Sequence, residues 1–249
     1  MSGHKKFFGL IRWELEEYLS LPVLAFLIAS AIIAVLIQSG HSMPHPQYAN
    51  LHYGSGTVLL ILTMVAGAFF ARSYAGSIGR GETKLMLSYP IKRWHLFLSK
   101  FIAMFMTIFV IYTAAFSLHL YLDGLSIFEP MFFLSLLSFL LQLMLACSIA
   151  IGVSMVTKSE IMSILAAVLL LFGIDNVVGT QNYLSAQGRE FYIFQYFGKQ
   201  IYGAFPFGDN SSSIVTATDV SVAILVPIAI FCVLIMGSFL YFSRFMEVD

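Results

Sequence analysis

The sequence predicts an all-α integral membrane protein with six transmembrane helices, an N-terminal interfacial amphipathic helix, and a re-entrant or interfacial helical segment before the last span. Of its 249 residues, 59% are hydrophobic and only 10% are charged, whereas soluble domains average about 45–50% and about 25%. The mean hydropathy is +0.87. Because no polar stretch is long enough for a separate soluble domain, we expect residues 1–249 to form a single transmembrane domain.

The transmembrane helices are predicted from apolar runs. A helix needs about 20 mostly apolar residues to cross roughly 30 Å of hydrocarbon. The runs close to that length are residues 21–38, 55–71, 99–122, 131–156, 161–178 and 220–242. No charged residue lies between Glu17 and Arg72, but Gly40, Pro44 and Pro46 interrupt this stretch and divide it into two spans.

The distribution of basic residues predicts the orientation. An even number of spans places both termini on one side, and Lys and Arg accumulate in cytoplasmic loops. Only Arg189 and Lys199 fall on the opposite side. The other eleven of the 13 basic residues share the side of the termini: Lys5, Lys6, Arg12, Arg72, Arg80, Lys84, Lys92, Arg93, Lys100, Lys158 and Arg244. We therefore predict a multi-pass protein of the cell membrane with both termini in the cytoplasm.

Residues 5–19 are predicted to form an amphipathic helix along the inner leaflet. At 100° per residue its apolar side chains fall within an arc of about 120°, while Arg12, Glu16 and Glu17 lie outside that arc. Those apolar residues are Phe7, Phe8, Ile11, Leu15, Tyr18 and Leu19. Pro22 suits the first turn of a following helix. The chain should therefore bend sharply into the first span.

The longest cytoplasmic connection, residues 72–98, is predicted to contain a short helix. Thr83 is a candidate N-cap for a helix through Leu85 and Leu87, and Pro90 ends it. One interpretation is a solvated loop whose basic residues set the topology. The other is a docking element that inserts into a groove on a cytoplasmic partner.

The run from Glu82 to Arg93, followed by Lys100, resembles the cytoplasmic loop of type-2 ABC transporter permeases. The positions that match the pattern of that loop are Leu85, Leu87, Ser88, Pro90, Ile91, Arg93 and Lys100. Glu82 stands where a glycine usually precedes Thr83, and Lys92 replaces a small hydroxyl residue. An amphipathic entry helix, six spans, this loop between the second and third, and a long external segment before the sixth also agree with that family.

The resemblance implies a function as the permease subunit of an ATP-driven ABC transporter, most often an exporter. It implies that residues 72–98 form a coupling loop, in which Glu82, Thr83, Leu85, Leu87, Pro90 and Arg93 dock an ATPase. The implied partners are a cytoplasmic ATP-binding-cassette ATPase, which would hold ATP and magnesium, and a second permease copy, either identical or homologous. This chain has no G-x-x-x-x-G-K-[ST] phosphate loop, so we expect no enzyme activity and no cofactor of its own.

Two polar residues in the predicted spans are candidates for a pathway or for contacts between helices. Gln142 lies near the middle of the fourth predicted span, and Asp175 lies three residues before the end of the fifth. Polar groups in a membrane are costly and tend to face a pathway or another helix. We expect Gln142 to bond between helices and Asp175 to reach the hydrated outer interface.

The external segment, residues 179–219, is rich in aromatic residues and interrupted by glycines, which favours either a re-entrant or interfacial helix pair or a plain aromatic belt at the outer leaflet. In the first external loop, His41, His45 and His52 are candidate copper or zinc ligands. Their spacing matches no closed metal motif, so no metal site is predicted.

Net charge is zero, which removes the basic field that nucleic-acid binding requires. The lipid bilayer is the expected environment. The alternative function, from another class, is a non-transporting membrane anchor in a multisubunit complex, with the histidine loop as an external metal site.

Overall fold

The computed structural model describes residues 3–39, 47–89, 91–122, 125–177, 183–203 and 215–245. Within these residues the regular structure is helical, and a π-helical turn over Tyr241–Phe245 follows the last helix. The helices are α1 (Gly3–Tyr18), α2 (Leu21–Ser39), α3 (Gln47–Gly79), α4 (Glu82–Leu87), α5 (Arg93–Leu122), α6 (Pro130–Thr157), α7 (Glu160–Val177), α8 (Ala186–Tyr202) and α9 (Ala217–Leu240).

Several of these helices are long and apolar enough to cross a membrane. In the described part of the chain, four qualify individually: Val58–Gly79 of α3, Arg93–Leu122, Pro130–Thr157, and Ala217–Arg244 at the C-terminal end. The pair α1 and α2 qualifies as a fifth candidate when its two bent arms are taken together. The protein is therefore a multi-pass helical membrane protein, and a sixth span, in α7, stays a prediction.

The ends of two helices differ from those predicted. The second span was expected to end at residue 71 and a loop to follow through residue 98, but α3 continues to Gly79 and α5 already begins at Arg93. Charged residues such as Arg72 limit the apolar run without breaking the helix. Helix α3 ends only where Gly81 turns the backbone into the left-handed region, at φ 73°, a conformation that glycine adopts without strain. At its other end, α3 begins at Gln47 and shortens the predicted linker before residue 55.

Helices α3 and α6 form the centre of the bundle, with α7 packed along α3 and α9 along α6. Gly67 of α3 lies next to Leu171 of α7. A Cβ atom built on this glycine would lie 2.5 Å from the Cδ1 atom of Leu171. Small residues allow membrane helices to pack closely, so Gly67 sets the spacing of this helix pair.

Replacing Gly67 with leucine is expected to destabilise the protein by about 1–3 kcal/mol, the usual cost of overpacking a well-packed core. Thermal unfolding in detergent would measure the change. The matched control is Gly173→Leu in α7, where an added Cβ meets no described atom within 4 Å. Equal unfolding temperatures for the two variants would contradict the close α3–α7 contact.

Helix α1 packs against α5, and the chain bends by 66° between Tyr18 and Leu21 to enter α2. The sharp bend expected from the sequence is therefore present. Phe7 contacts His95 with ring centroids 5.4 Å apart, and the Tyr18 hydroxyl lies 2.7 Å from the Ser73 hydroxyl of α3. These contacts join α1 to the ends of α3 and α5, and the position of α1 in the inner leaflet stays a prediction.

Candidate functional site

The candidate docking helix α4 begins differently from the sequence prediction. Its N-cap is Gly81, which offers no side-chain hydrogen bond. Thr83 is the second residue of the helix and is only 7% exposed, so the prediction that Thr83 caps the helix is wrong. Gly81, in the left-handed conformation, forms the turn before α4. Thr83 does not cap the helix, and its side chain is buried in the protein.

An ionic network fastens α4 to two longer helices. Arg80 Nε donates to Glu82 Oε1 at 2.7 Å, and Arg80 Nη1 donates to Glu160 Oε2 at 3.0 Å. Arg72 Nε donates to Glu160 Oε1 at 3.1 Å. Gly76 leaves room for these groups, because a Cβ atom there would lie 3.1 Å from Glu160 Oε2. The hydrogen bond from Arg80 also lowers the pKa of Glu82. The network thus joins the end of α3, the start of α4 and the start of α7.

We expect the substitution Glu160→Gln to loosen α4. It removes the carboxylate that holds both arginines, and partly exposed ion pairs are worth about 0.5–1 kcal/mol. Amide hydrogen exchange in residues 82–87 should therefore quicken about two- to five-fold.

The matched control for this measurement is Glu16→Gln. Glu16 accepts a hydrogen bond from Arg12 at 2.9 Å on the exposed face of α1, so its replacement should leave exchange in α4 unchanged. Equal exchange in wild type and Glu160→Gln would show that the network does not hold α4.

The predicted docking residues do not share one surface. Leu85 is 65% exposed, whereas Thr83 is buried and Leu87 packs against the core. Glu82 is half-exposed and bonded to Arg80. Arg93 is half-buried at the start of α5, and Pro90 lies outside the described residues.

The structure adds two residues that the sequence reasoning missed. Tyr89 and Trp94 are exposed on either side of the position of Pro90. Leu85 is the third large apolar residue exposed in this segment. The sequence signal was present, because each is a large apolar residue in a segment rich in charge.

A second group of polar side chains lies at the opposite end of the bundle. Gln142 of α6 donates through Nε2 to Asp175 Oδ2 of α7 at 3.1 Å, and its Oε1 accepts a hydrogen bond from Arg189 Nη2 of α8. Arg189 Nη1 also donates to the Leu184 carbonyl at 2.8 Å. Gln142, Asp175 and Arg189 are called here the outer polar cluster. They join three helices.

The structure shows what surrounds two charged residues of this cluster. Arg189 was counted with the charges of an external loop, and its side chain is fully buried. Asp175 accepts hydrogen bonds from Gln142 and from the Ala186 amide at 2.8 Å, and its expected position at the hydrated outer interface stays a prediction. Its charge therefore has protein partners. The contact between helices expected for Gln142 is present.

The external segment contributes one helix in its described part. Ser185 caps α8 by accepting a hydrogen bond from the Gly188 amide at 3.0 Å, and Tyr183 donates to Asp219 Oδ1 of α9 at 2.9 Å. Residues 204–214 lie outside the described residues, so a helix pair stays a prediction.

The candidate metal ligands are not described. His41 and His45 lie outside the described residues, as does the side chain of His52, although its backbone belongs to α3. In the part of the chain that is described, no three His, Cys, Asp or Glu side chains are grouped closely enough to hold a metal ion.

The bundle of long apolar helices, with a short helix fastened at one end and a polar cluster at the other, is that of a multi-pass helical membrane protein. The sequence model of a family described as ABC-2 family transporter protein matches residues 14–174, which is well over half of the chain. The chain therefore belongs to the ABC-2 transporter family, the type-2 ABC permeases. The match extends from α1 into α7.

Membership of this family also indicates how the chain functions. Members are membrane subunits rather than ATPases, and they pair with an ATP-binding-cassette subunit. No curated protein matches the chain significantly.

Proposed function

We propose that this chain is the membrane-spanning subunit of an ATP-driven exporter, and that α4 is its coupling helix. Six spans, with α7 as the fifth, would cross the cell membrane and place both termini in the cytoplasm. The excess of Lys and Arg at the α4 end supports this orientation, because basic residues accumulate on the cytoplasmic side.

The observation that carries the proposal is the exposure of Leu85 on a helix that is itself fastened to the bundle. The apolar side chain of Leu85 is exposed at the end of the bundle where α4 lies, and Arg80 ties the start of the same helix to α7. An apolar residue on an anchored helix suits insertion into a groove of a partner. Movement of that partner would then reach α3 and α7.

The proposed partner is a cytoplasmic ATP-binding-cassette ATPase that binds ATP and magnesium. Hydrolysis would take place in that subunit, since this chain has no phosphate loop. A second permease copy, identical or homologous, would complete the pathway. We propose export of a lipid-like, peptide or drug-like amphiphile, because the apolar spans offer few charged groups to an inorganic ion.

Affinity purification of the tagged chain from native membranes in mild detergent tests this proposal. Mass spectrometry of the stoichiometric partners should find a Walker-type ATPase at one copy per permease, and reconstituted complexes should hydrolyse ATP. Stoichiometric redox or assembly subunits without an ATPase would instead favour the membrane-anchor function. In that case the segment that contains α4 would only set the membrane topology.

A further inference from the structure

A cavity of about 120 Å³ lies in the corner where α1 bends into α2, next to α3 and the start of α5. Its wall has a charged part and an apolar part. The charged part includes Arg72 of α3 and Lys100 of α5, and the apolar part consists of Val23 and Phe69. The cavity shares Arg72 and Arg80 with the network that fastens α4, but the coupling proposal assigns no ligand to it.

Two cations of the wall keep hydrogen-bond donors that no described residue takes up. Three cations, Arg72, Arg80 and Lys100, and one carboxylate, Glu17, line the cavity. Arg80 is bonded to Glu82 and Glu160. Arg72 bonds to Glu160 through Nε alone among the described residues, so its two Nη groups keep their donor capacity. A guanidinium presents such donors in a fork that matches phosphate oxygens.

Lys100 supplies the second cation. Its ammonium lies within electrostatic range of Glu14 and Glu82, and it has three protons to donate. Tyr18 and Ser73 hydrogen bond to each other at 2.7 Å. Both residues line the same cavity.

The apolar part of the wall lies directly beside the charged part. Val23 lies in the first turn of α2, and Phe69 lies about one turn before Arg72 on α3. The cavity therefore changes from charged to apolar over about one helical turn. A ligand that fills it should be charged at one end and apolar at the other.

We propose that this cavity binds an anionic phospholipid from the leaflet at the Lys- and Arg-rich end of the protein. Arg72 and Lys100 hold the phosphate oxygens, and Val23 and Phe69 contact the glycerol and the start of the acyl chains. Basic pockets between helices at a cytoplasmic surface are suited to anionic headgroups. Because Arg72 also holds Glu160, the lipid would share a cation with the network that fastens α4.

Native mass spectrometry of the full chain in detergent tests the proposal. Phosphatidylglycerol and phosphatidylcholine with the same acyl chains are added separately, and the wild type should bind phosphatidylglycerol more tightly. The double variant Arg72→Gln/Lys100→Gln should weaken phosphatidylglycerol binding about 25-fold, since each removed charge near a lipid surface is worth about five-fold. Binding of phosphatidylcholine should not change.

Two further variants keep the result interpretable. Lys84→Gln/Lys92→Gln removes two charges from exposed positions at the same end and should leave lipid binding unchanged. Val23→Trp fills the cavity without altering charge and should also lower phosphatidylglycerol binding, so the proposal stays testable if the charge variant does not fold.

Equal binding of the two lipids by wild type would overturn the proposal. So would unchanged phosphatidylglycerol binding in a folded Arg72→Gln/Lys100→Gln or Val23→Trp variant. Inorganic phosphate at millimolar concentration distinguishes the source of the anion. If it raises the unfolding temperature as much as phosphatidylglycerol does, the ligand is a soluble phosphate and the assignment to a lipid is wrong.

Discussion

Replacing Arg189 with methionine is expected to lower the free energy of unfolding by about 2–6 kcal/mol, because Gln142 Oε1 and the Leu184 carbonyl both lose their donor and each unsatisfied buried acceptor costs about 1–3 kcal/mol. Arg189 is 0% exposed. Burial lowers its pKa to about 10, so it remains charged at neutral pH. Its removal leaves the Asp175 carboxylate without a nearby cation and the Leu184 carbonyl without its donor.

Thermal or denaturant unfolding in detergent would measure this loss, with Lys199→Met as the matched control. Lys199 is exposed on the same helix, so its replacement should cost less than about 0.5 kcal/mol. The double variant Arg189→Met/Asp175→Asn also removes the carboxylate and should recover only the part of the lost stability that comes from the uncompensated charge of Asp175. If Arg189→Met costs no more than the control, the outer polar cluster does not hold α8.

The contrast between predicted and observed features has a physical origin at this cluster. The apolar runs predicted the helices of the spans because burial in lipid depends on local composition. The partners of Gln142 and Asp175 depend on the way distant helices pack: Arg189 lies 47 residues from Gln142 along the chain. Two polar residues in apolar runs and an arginine in an aromatic segment were the available signals. Only packing brings them together.

At the α4 end, too, local sequence predicts some features and packing decides others. The sequence predicted a short helix through Leu85 and Leu87 that ends before Pro90, because proline acts on the local backbone. It placed the N-cap at Thr83, whereas the helix begins at Glu82 after the left-handed Gly81. It did not distinguish Leu85, which is exposed, from Thr83, which is buried. Which face of a six-residue helix points outward depends on what α1 and α5 place beneath it.

Replacing Leu85 with aspartate is expected to weaken the complex with the ATPase subunit about 10- to 100-fold. Burying a leucine side chain in a partner groove is worth about 1.5–3 kcal/mol, and each 1.4 kcal/mol is a factor of ten in affinity. An unpaired carboxylate in that groove adds a desolvation cost. Since Leu85 is 65% exposed in the chain by itself, the substitution should leave folding intact. The measurement is the ATPase recovered per permease on affinity purification, together with substrate-stimulated hydrolysis in liposomes.

Phe128→Asp is the matched control, because Phe128 is 92% exposed in the turn before α6 at the opposite end of the bundle. The two variants introduce the same charge at exposed apolar positions, so a general effect on solubility or insertion should affect both. Only Leu85→Asp should lose the ATPase if α4 is the coupling helix. Equal ATPase recovery from both variants would place the docking contact elsewhere. Loss of the ATPase from both would point to a defect in assembly, and the unfolding temperature of each isolated variant would reveal that defect directly.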